Sequence, residues 1–310
     1  MARSFVKWAG GKFQLLDEIN DIVDSMTDDC EEFIYVEPFV GGGALLFDLL
    51  ERKQNLKIAF INDMNSNLVK CYKVIKSDTL YPELKKRLTE FQEAYNKAGS
   101  SDDRKKMYLD VRESYNKRFC TGNDKNDVEC AAMFIFLNKT AFNGIYRENS
   151  KGEFNVPWNQ REDVNLFDEE NFDTCHNLLK KVVMLNKDYK DTDFVMQIGD
   201  IDSCKVVYYL DPPYRPLEGT NSFIGYTKSG FSDKDQVRLK NFCDEINRNG
   251  YDFVLSNSKS GDFFENLYDV YEIDTVGARR NINSVGDKRG EVDELIIYNR
   301  KKKNVSISLF

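Results

Sequence analysis

An aromatic and β-branched run from Phe33 to Phe39 (FIYVEPF) ends directly on Val40-Gly41-Gly42-Gly43, and an apolar helical pattern follows from Ala44 to Leu50. Such a stretch leaves a strand, turns sharply through glycine and enters a helix. Ile58 to Ile61 then reads as a second strand closing on Asn62-Asp63, which completes a βαβ unit and commits this part of the chain to a parallel sheet. Three further apolar runs, Val182 to Leu185, Val206 to Leu210 and Tyr251 to Leu255, each stop at polar residues: Asn186-Lys187-Asp188, Asp211-Pro212-Pro213-Tyr214 and Ser256-Asn257-Ser258. Ser232 precedes a helical pattern over 233–247 as an N-cap. Val270 to Val276 and Glu294 to Tyr298 add two strands with no clear long helix between them, which suggests an antiparallel hairpin at the sheet edge. The expected fold is α/β, with about seven strands and polar residues gathered at their carboxyl ends, where open α/β sheets bind ligands.

Between Asn65 and about Leu137 the strand signal stops. Helical periodicity takes over in Leu68 to Ile75, Tyr81 to Tyr95, Lys105 to Tyr115 and Glu129 to Leu137. The expected organisation is one discontinuous domain, residues 1–63 and 162–310, interrupted by a mostly helical insertion at 64–161. A net charge of −8 argues at first against a nucleic-acid partner, because phosphate binding needs local positive charge. The distribution changes that reading. Residues 64 to 160 hold 17 Lys and Arg against 13 Asp and Glu, a net of +4, while the remainder holds 27 against 39, a net of −12. A basic segment in an acidic chain suits a polyanion-facing insertion, although ordinary solvated helix faces account for many such charges. Within it, Asn143 to Trp158 reads as a β-hairpin with aromatic-containing arms around 149–152.

Seven cysteines, an odd number without a C-x-x-C pair, argue against both a disulfide framework and a zinc ribbon; reduced thiols are expected. The one histidine, His176, excludes chemistry that needs two and reads as a surface or packing residue, and no metal site is expected. The longest apolar runs fall far short of a spanning helix and the amino terminus lacks an apolar core, so the expected location is the cytoplasm, without membrane contact.

The glycine turn lets backbone approach a ligand closely. As a dinucleotide fingerprint it is incomplete, since Leu46 stands where the third glycine belongs, and Gly11-Lys12 fails as a P-loop because Val6 and Phe13 occupy required positions. A nucleoside without phosphates is the better candidate ligand. Asp63, about twenty residues after the turn, suits ribose hydroxyls, though a strand-end Asp also serves as a helix cap. Asp211-Pro212-Pro213-Tyr214 is the sharpest signal. Two prolines hold the chain rigid and extended as it leaves the sheet, presenting a carboxylate, a carbonyl and an aromatic face to a planar amino-bearing base.

Phe5-Val6-Lys7-Trp8-Ala9-Gly10-Gly11-Lys12, Glu37-Pro38-Phe39-Val40-Gly41-Gly42-Gly43, Asn62-Asp63, Asp211-Pro212-Pro213-Tyr214 and Ser256-Asn257 occur in this order. Together they closely resemble the Dam-type DNA adenine-N6 methyltransferases, in which a target-recognition domain lies between the glycine-turn motif and the Asp-Pro-Pro-Tyr motif. The resemblance runs from Phe5 to Tyr298. It implies a Rossmann-like methyltransferase sheet, S-adenosylmethionine as methyl donor, double-stranded DNA as partner and a monomer. By the same resemblance Trp8, Lys12, Phe39, Gly41 and Gly43 line the methyl-donor site and Asp63 holds its ribose. Asp188-Tyr189 holds its adenine, with Asp200 as the alternative acid, and Asp211 lies between methyl donor and target. Asp211 and the Pro212 carbonyl accept hydrogen bonds from the target amino group, and Tyr214 stacks on the base. The hairpin resembles the DNA-contacting hairpin of the group that methylates GATC, including Gly152-Glu153-Phe154-Asn155-Val156-Pro157, with Arg147, Asn149 and Lys151 as DNA-binding candidates. Glu148 and Trp158-Asn159 depart from that pattern. Arg279-Arg280 resembles a basic segment near the family's carboxyl end.

Three other readings compete. An Asp-Pro-Pro-aromatic turn suits any planar amino group, so RNA adenine or a protein amide is a second substrate class. A DNA-binding module without catalysis would use the same fold as a scaffold, which intact Asp211, Tyr214 and Asp63 argue against. A nicotinamide dehydrogenase is disfavoured by the incomplete fingerprint.

Overall fold

The structure, a computed structural model, describes residues 2–8, 10, 12, 15–191, 204–215, 231–279 and 291–299. Ala9, Gly11, Asp200, Arg280 and the 281–284 segment, named above, lie outside the described residues.

Seven strands form one sheet: β1 (Phe33–Glu37), β2 (Leu56–Asn62), β3 (Val182–Leu185), β4 (Lys205–Leu210), β5 (Asp252–Ser258), β6 (Glu272–Arg279) and β7 (Glu291–Tyr298). Their order is β3-β2-β1-β4-β5-β7-β6. The first five run parallel, and β7 lies antiparallel between β5 and β6. The terminal hairpin expected at the sheet edge is therefore present, with its second strand as the inner one.

Period-two alternation sorts side chains onto two buried faces. Tyr35, Val207, Tyr209, Val254 and Ile296 face one apolar core. Ile34, Val36, Tyr208, Leu210, Phe253 and Leu255 face the other. The first core is covered by α1 (Leu16–Thr27), α2 (Ala44–Arg52), α3 (Ser66–Lys76) and α7 (Glu169–Leu178). The second is covered by α8 (Asp233–Arg248), which begins at Ser232 in a reciprocal capping box with Asp235, and by the short α9 (Phe263–Leu267).

The insertion is helical as expected: α4 (Leu80–Asn96), α5 (Ser101–Tyr115) and α6 (Asp127–Thr140). Every residue from Cys130 to Asn138 is buried, so α6 is apolar all round and forms the centre of this bundle. The apolar core continues without a break from the sheet face into these helices. His176 packs, as anticipated: its ring stacks on Tyr81 with centroids 4.5 Å apart, and its Nδ1 lies 2.6 Å from the Ile75 carbonyl. All seven thiols are free. Among the described residues no helix is long and apolar enough to cross a membrane, and no group of His, Cys, Asp and Glu is arranged to hold a metal.

Candidate active site

The strand order reverses between β1 and β4, the two neighbours from which the chain proceeds in opposite directions. The carboxyl ends of the strands open a crevice there. Asn62, at the end of β2 and almost fully buried, braces its floor. Its Nδ2 donates to the Pro38 carbonyl at 3.1 Å and the Lys187 carbonyl at 3.0 Å, and its Oδ1 accepts from the Lys187 amide at 2.8 Å. One amide side chain thus fixes the loops after β1 and β3 relative to β2.

Gly41 and Gly43 have φ of 48° and 69°, a conformation that favours glycine. Space is equally restrictive. A Cβ on Gly41 would lie 2.7 Å from Cδ1 and Nε1 of Trp8, and one on Gly43 would lie 2.6 Å from the Tyr72 hydroxyl oxygen. Asp63 holds this turn from below: its Oδ2 accepts from the Gly41 amide at 3.0 Å and its Oδ1 from the Asn65 amide at 2.8 Å. Burial raises its pKa, and these two bonds oppose the rise. Asp63 does not cap α3; the cap is Asn65, whose side chain accepts from the Asn67 and Leu68 amides. Further along, Phe39 meets Tyr189 with ring centroids 5.0 Å apart. Arg238 of α8 pairs with Asp188 at 2.8 Å and covers the Tyr189 ring at 5.0 Å. The Tyr189 hydroxyl is buried and finds no hydrogen-bond partner among the described residues.

Asp211 forms a second centre immediately after β4. Lys12 Nζ lies 2.8 Å from its Oδ1, donates to the Gly10 carbonyl at 2.7 Å and sits 4.4 Å from the centre of the Tyr214 ring. Burial raises the Asp211 carboxyl to about 6; Lys12 opposes that rise and the Glu294 charge adds to it. Glu37 lies almost fully buried at the end of β1, accepting from the Tyr35 hydroxyl at 3.0 Å. Burial holds its carboxyl well above the ordinary range, opposed by the Tyr35 bond and reinforced by the charges of Asp211 and Asp63. The Asp-Pro-Pro-Tyr loop is fixed from outside. Gln236 Nε2 donates to the Pro213 carbonyl at 3.3 Å, and Asn257 Oδ1 accepts from the Arg215 amide at 3.1 Å. Arg215 also pairs with Asp233 at 2.8 Å. No donor among the described residues reaches the Pro212 carbonyl.

The loop anticipated as a hairpin has two arms joined by isolated antiparallel bridges, Ala141 with Trp158 and Glu148 with Phe154. Asn149 makes its turn, accepting from the Lys151 and Glu153 amides at 2.9 and 3.1 Å and donating to Glu153 Oε2 at 2.8 Å. Arg147 Nε donates to Asn155 Oδ1 at 2.8 Å across the arms. Two of the three DNA-binding candidates therefore shape the loop, while Lys151 faces solvent. The departures from the family pattern are structural as well: Glu148 accepts from the Tyr146 hydroxyl at 2.7 Å, and Trp158 Nε1 donates to the Tyr95 hydroxyl at 2.8 Å. Tyr146 stacks on Trp8 with centroids 5.8 Å apart, so the loop's inner arm touches the residue that covers the glycine turn.

Beside the loop, sequence reasoning missed a cluster of cations. Lys139, half-buried at the end of α6, is pulled down to about 8, by burial first and the charge of Lys7 second. Lys7 is lowered too, by desolvation first and by Arg161 second. None of the three makes an ion pair among the described residues, whereas Lys12, Lys70 and Arg238 each lie against a carboxylate. No motif marks Lys139, Gln236, Arg238 or Glu294 in the sequence; Glu37, Asn62 and Asn257 stood within quoted motifs, but their bracing and burial did not.

A switch-point crevice with an acid-anchored glycine turn on one side and a carboxylate beside an aromatic ring on the other defines an α/β methyltransferase with a Rossmann-like sheet. The chain belongs to the D12 class N6 adenine-specific DNA methyltransferases, matching that family over residues 8–282. It is 42% identical to Type II methyltransferase M.MjaIII of Methanocaldococcus jannaschii, over 96% of this chain and 99% of that protein. It is 34% identical to Type II methyltransferase M1.LlaDCHI of Lactococcus lactis subsp. cremoris, over 96% and 95% of the two chains. Identity to a DNA adenine methylase of Salmonella typhimurium is 30%, over 95% and 94%. The protein is thus an adenine-specific DNA methyltransferase with S-adenosylmethionine as methyl donor.

Proposed function

We propose that the protein methylates N6 of an adenine flipped out of duplex DNA, within GATC, as a monomer serving restriction-modification or DNA marking. The observation that carries this reading is the Asp211 carboxylate beside the Tyr214 ring, followed by a Pro212 carbonyl with no described donor. Adenine N6 is a weak nucleophile because its lone pair is delocalised into the ring. Hydrogen bonds from the amino group to Asp211 and the Pro212 carbonyl favour a more tetrahedral nitrogen. A base inside a duplex cannot reach these groups, and flipping costs roughly a few kcal/mol, which stacking on Tyr214 offsets. When bound, S-adenosylmethionine supplies an electrophilic methyl group, and the protein's part is alignment of the nitrogen with it.

The residues fit that methyl donor. Gly41 and Gly43 leave no room for a side chain against Trp8 and Tyr72, as a backbone cradle requires. Both oxygens of Asp63 are already oriented by amides, leaving lone pairs for ribose hydroxyls. Asp188 is held by Arg238 beside Tyr189 and Phe39, a partly apolar slot suited to adenine. Residues 64–161 serve target recognition and the remainder catalysis. Arg147 and Asn149 present the loop, Lys151 reaches phosphate or base edges, and Lys7, Lys139 and Arg161, which pair with no carboxylate among the described residues, provide the local positive charge that DNA needs. GATC rests on the resemblance of the 152–157 run; restriction-modification is supported by the names of two relatives.

The test is transfer of labelled methyl from S-adenosylmethionine to duplexes carrying GATC or a scrambled site, followed by nucleoside analysis. N6-methyladenine on GATC alone is expected. Equal labelling of both duplexes would refute the sequence assignment and keep the chemistry; label on RNA or protein instead would refute the substrate.

A further inference from the structure

Glu294 belongs to none of the motifs described above, yet it reaches the reaction centre from the far end of the chain. It lies on β7, where its backbone is held on both sides, opposite Ser258 of β5 and Val276 of β6. That register places it above the exit of β5, where Asn257 also ties down the Asp-Pro-Pro-Tyr loop. Its Oε2 accepts a hydrogen bond of 2.9 Å from the Tyr214 hydroxyl, across 80 residues of sequence. A charge-assisted bond from a strand held on both edges is a stiff restraint.

Gln236 and Asn257 fix the loop backbone on either side of Tyr214, at the Pro213 carbonyl and the Arg215 amide. They leave its side-chain torsions open. Lys12 restrains one face of the ring, through an ammonium that the same residue also offers to Asp211. Only the Glu294 contact fixes the tip of the ring among the described residues. A stacking platform already locked in its binding orientation loses no rotamer freedom when a base arrives.

We propose that Glu294 is a positioning residue for methyl transfer: acting through the Tyr214 hydroxyl, it sets the plane on which the target adenine stacks. This role rests on the reading of Tyr214 as the stacking platform. Glu294 touches neither the methyl donor nor the base. Its influence therefore passes through one hydroxyl group, which makes it separable by mutation.

The experiment is a double-mutant cycle on the single-turnover rate of methyl transfer to a GATC duplex. Glu294→Met removes the acceptor and keeps the length; Tyr214→Phe removes the donor and keeps the ring. Each is expected to slow the step about tenfold, the scale of a lost bond to a charged acceptor. The double variant is expected to be no slower than either single one, and the KM for S-adenosylmethionine to stay unchanged. Glu294→Gln, which retains an acceptor oxygen, should restore most of the rate and guards against a folding defect in the Met variant. Multiplied effects in the double variant, or a Gln variant as slow as the Met one, would overturn the proposal. In parallel, the Tyr214 signal of carbon-13 tyrosine-labelled protein without DNA should shift in Glu294→Met, and an unmoved signal would refute the contact itself. Failure of the wild-type protein to methylate any adenine would instead sink the underlying function, and is seen before either variant is made.

Discussion

Replacing Lys12 by Met keeps an unbranched apolar stem but deletes the ammonium 2.8 Å from Asp211. Burial lifts that carboxyl from 3.8 to about 6, and Lys12 is the group that opposes the lift. An opposite charge in contact lowers a carboxyl's titration midpoint by roughly 1–3 on the pH scale, so removing it carries Asp211 to roughly 7–9. If, as proposed, the ionised Asp211 carboxylate is the hydrogen-bond acceptor for methyl transfer, activity rises with pH through this midpoint and the acid limb of the variant moves towards alkaline pH. At pH 7 a midpoint of about 6 leaves roughly nine-tenths of the sites ionised, and one of about 8 leaves roughly one-tenth, a loss of about ninefold that recovers by about pH 9. The assay is kcat/KM for labelled methyl transfer across that range, because this ratio reports ionisations of the free enzyme. Lys12 also lines the expected methyl-donor site, so the whole profile falls in height; the position of the limb is the quantity to read. A limb left at its wild-type pH, or moved towards acid, would refute the pairing of Lys12 with a catalytic Asp211.

Gly41→Ala forces a Cβ within 2.7 Å of the Trp8 ring at a positive φ, and should weaken binding of S-adenosylmethionine at least about tenfold by calorimetry. Unchanged affinity would place the methyl donor away from this turn. Lys139→Gln should lower duplex affinity and flatten the salt dependence by roughly one counterion, measured by fluorescence anisotropy across a salt series; an unaltered slope would remove the cation cluster from the DNA interface. Asn149→Ala deletes three side-chain bonds of 2.8, 2.9 and 3.1 Å and should cost about 1–2 kcal/mol in urea unfolding, while Lys151→Met, at an exposed position, leaves stability unchanged. Equal stability of the two variants would mean that the turn is not built on Asn149.

How much of this was legible depends on whether the signal was local. β1 and β4 are buried on both faces, which makes them continuous apolar runs, and the glycine turn and the two prolines mark where each leaves the sheet. α6 is a helix as its expected periodicity over 129–137 has it, although its burial from Cys130 to Asn138 runs all round and leaves no polar face to mark the period. α1 was passed over, although Leu16, Ile19, Ile22, Val23 and Met26 recur at helical spacing and are all buried. The signal there is local and follows the helical period. The placement of β7 between β5 and β6 was hidden for a different reason: its residues suit any strand, and pairing order is set by long-range register. The same division holds within the site. Asp211, Tyr214, Asp63 and Lys12 sit in motifs because backbone geometry demands specific neighbours, but nothing local says that Lys12 meets Asp211 and Tyr214 together. The Arg147 and Asn149 side chains looked free to read DNA, and their bonds within the loop emerge only once its two arms face each other. Glu294 lies at the extreme, an acid in an apolar strand whose meaning is its distance from a tyrosine on another loop. Chemistry carried by one segment is written in that segment. Alignment is shared between segments, and for an enzyme whose task is to align a nitrogen with a methyl group, much of what matters belongs to the fold.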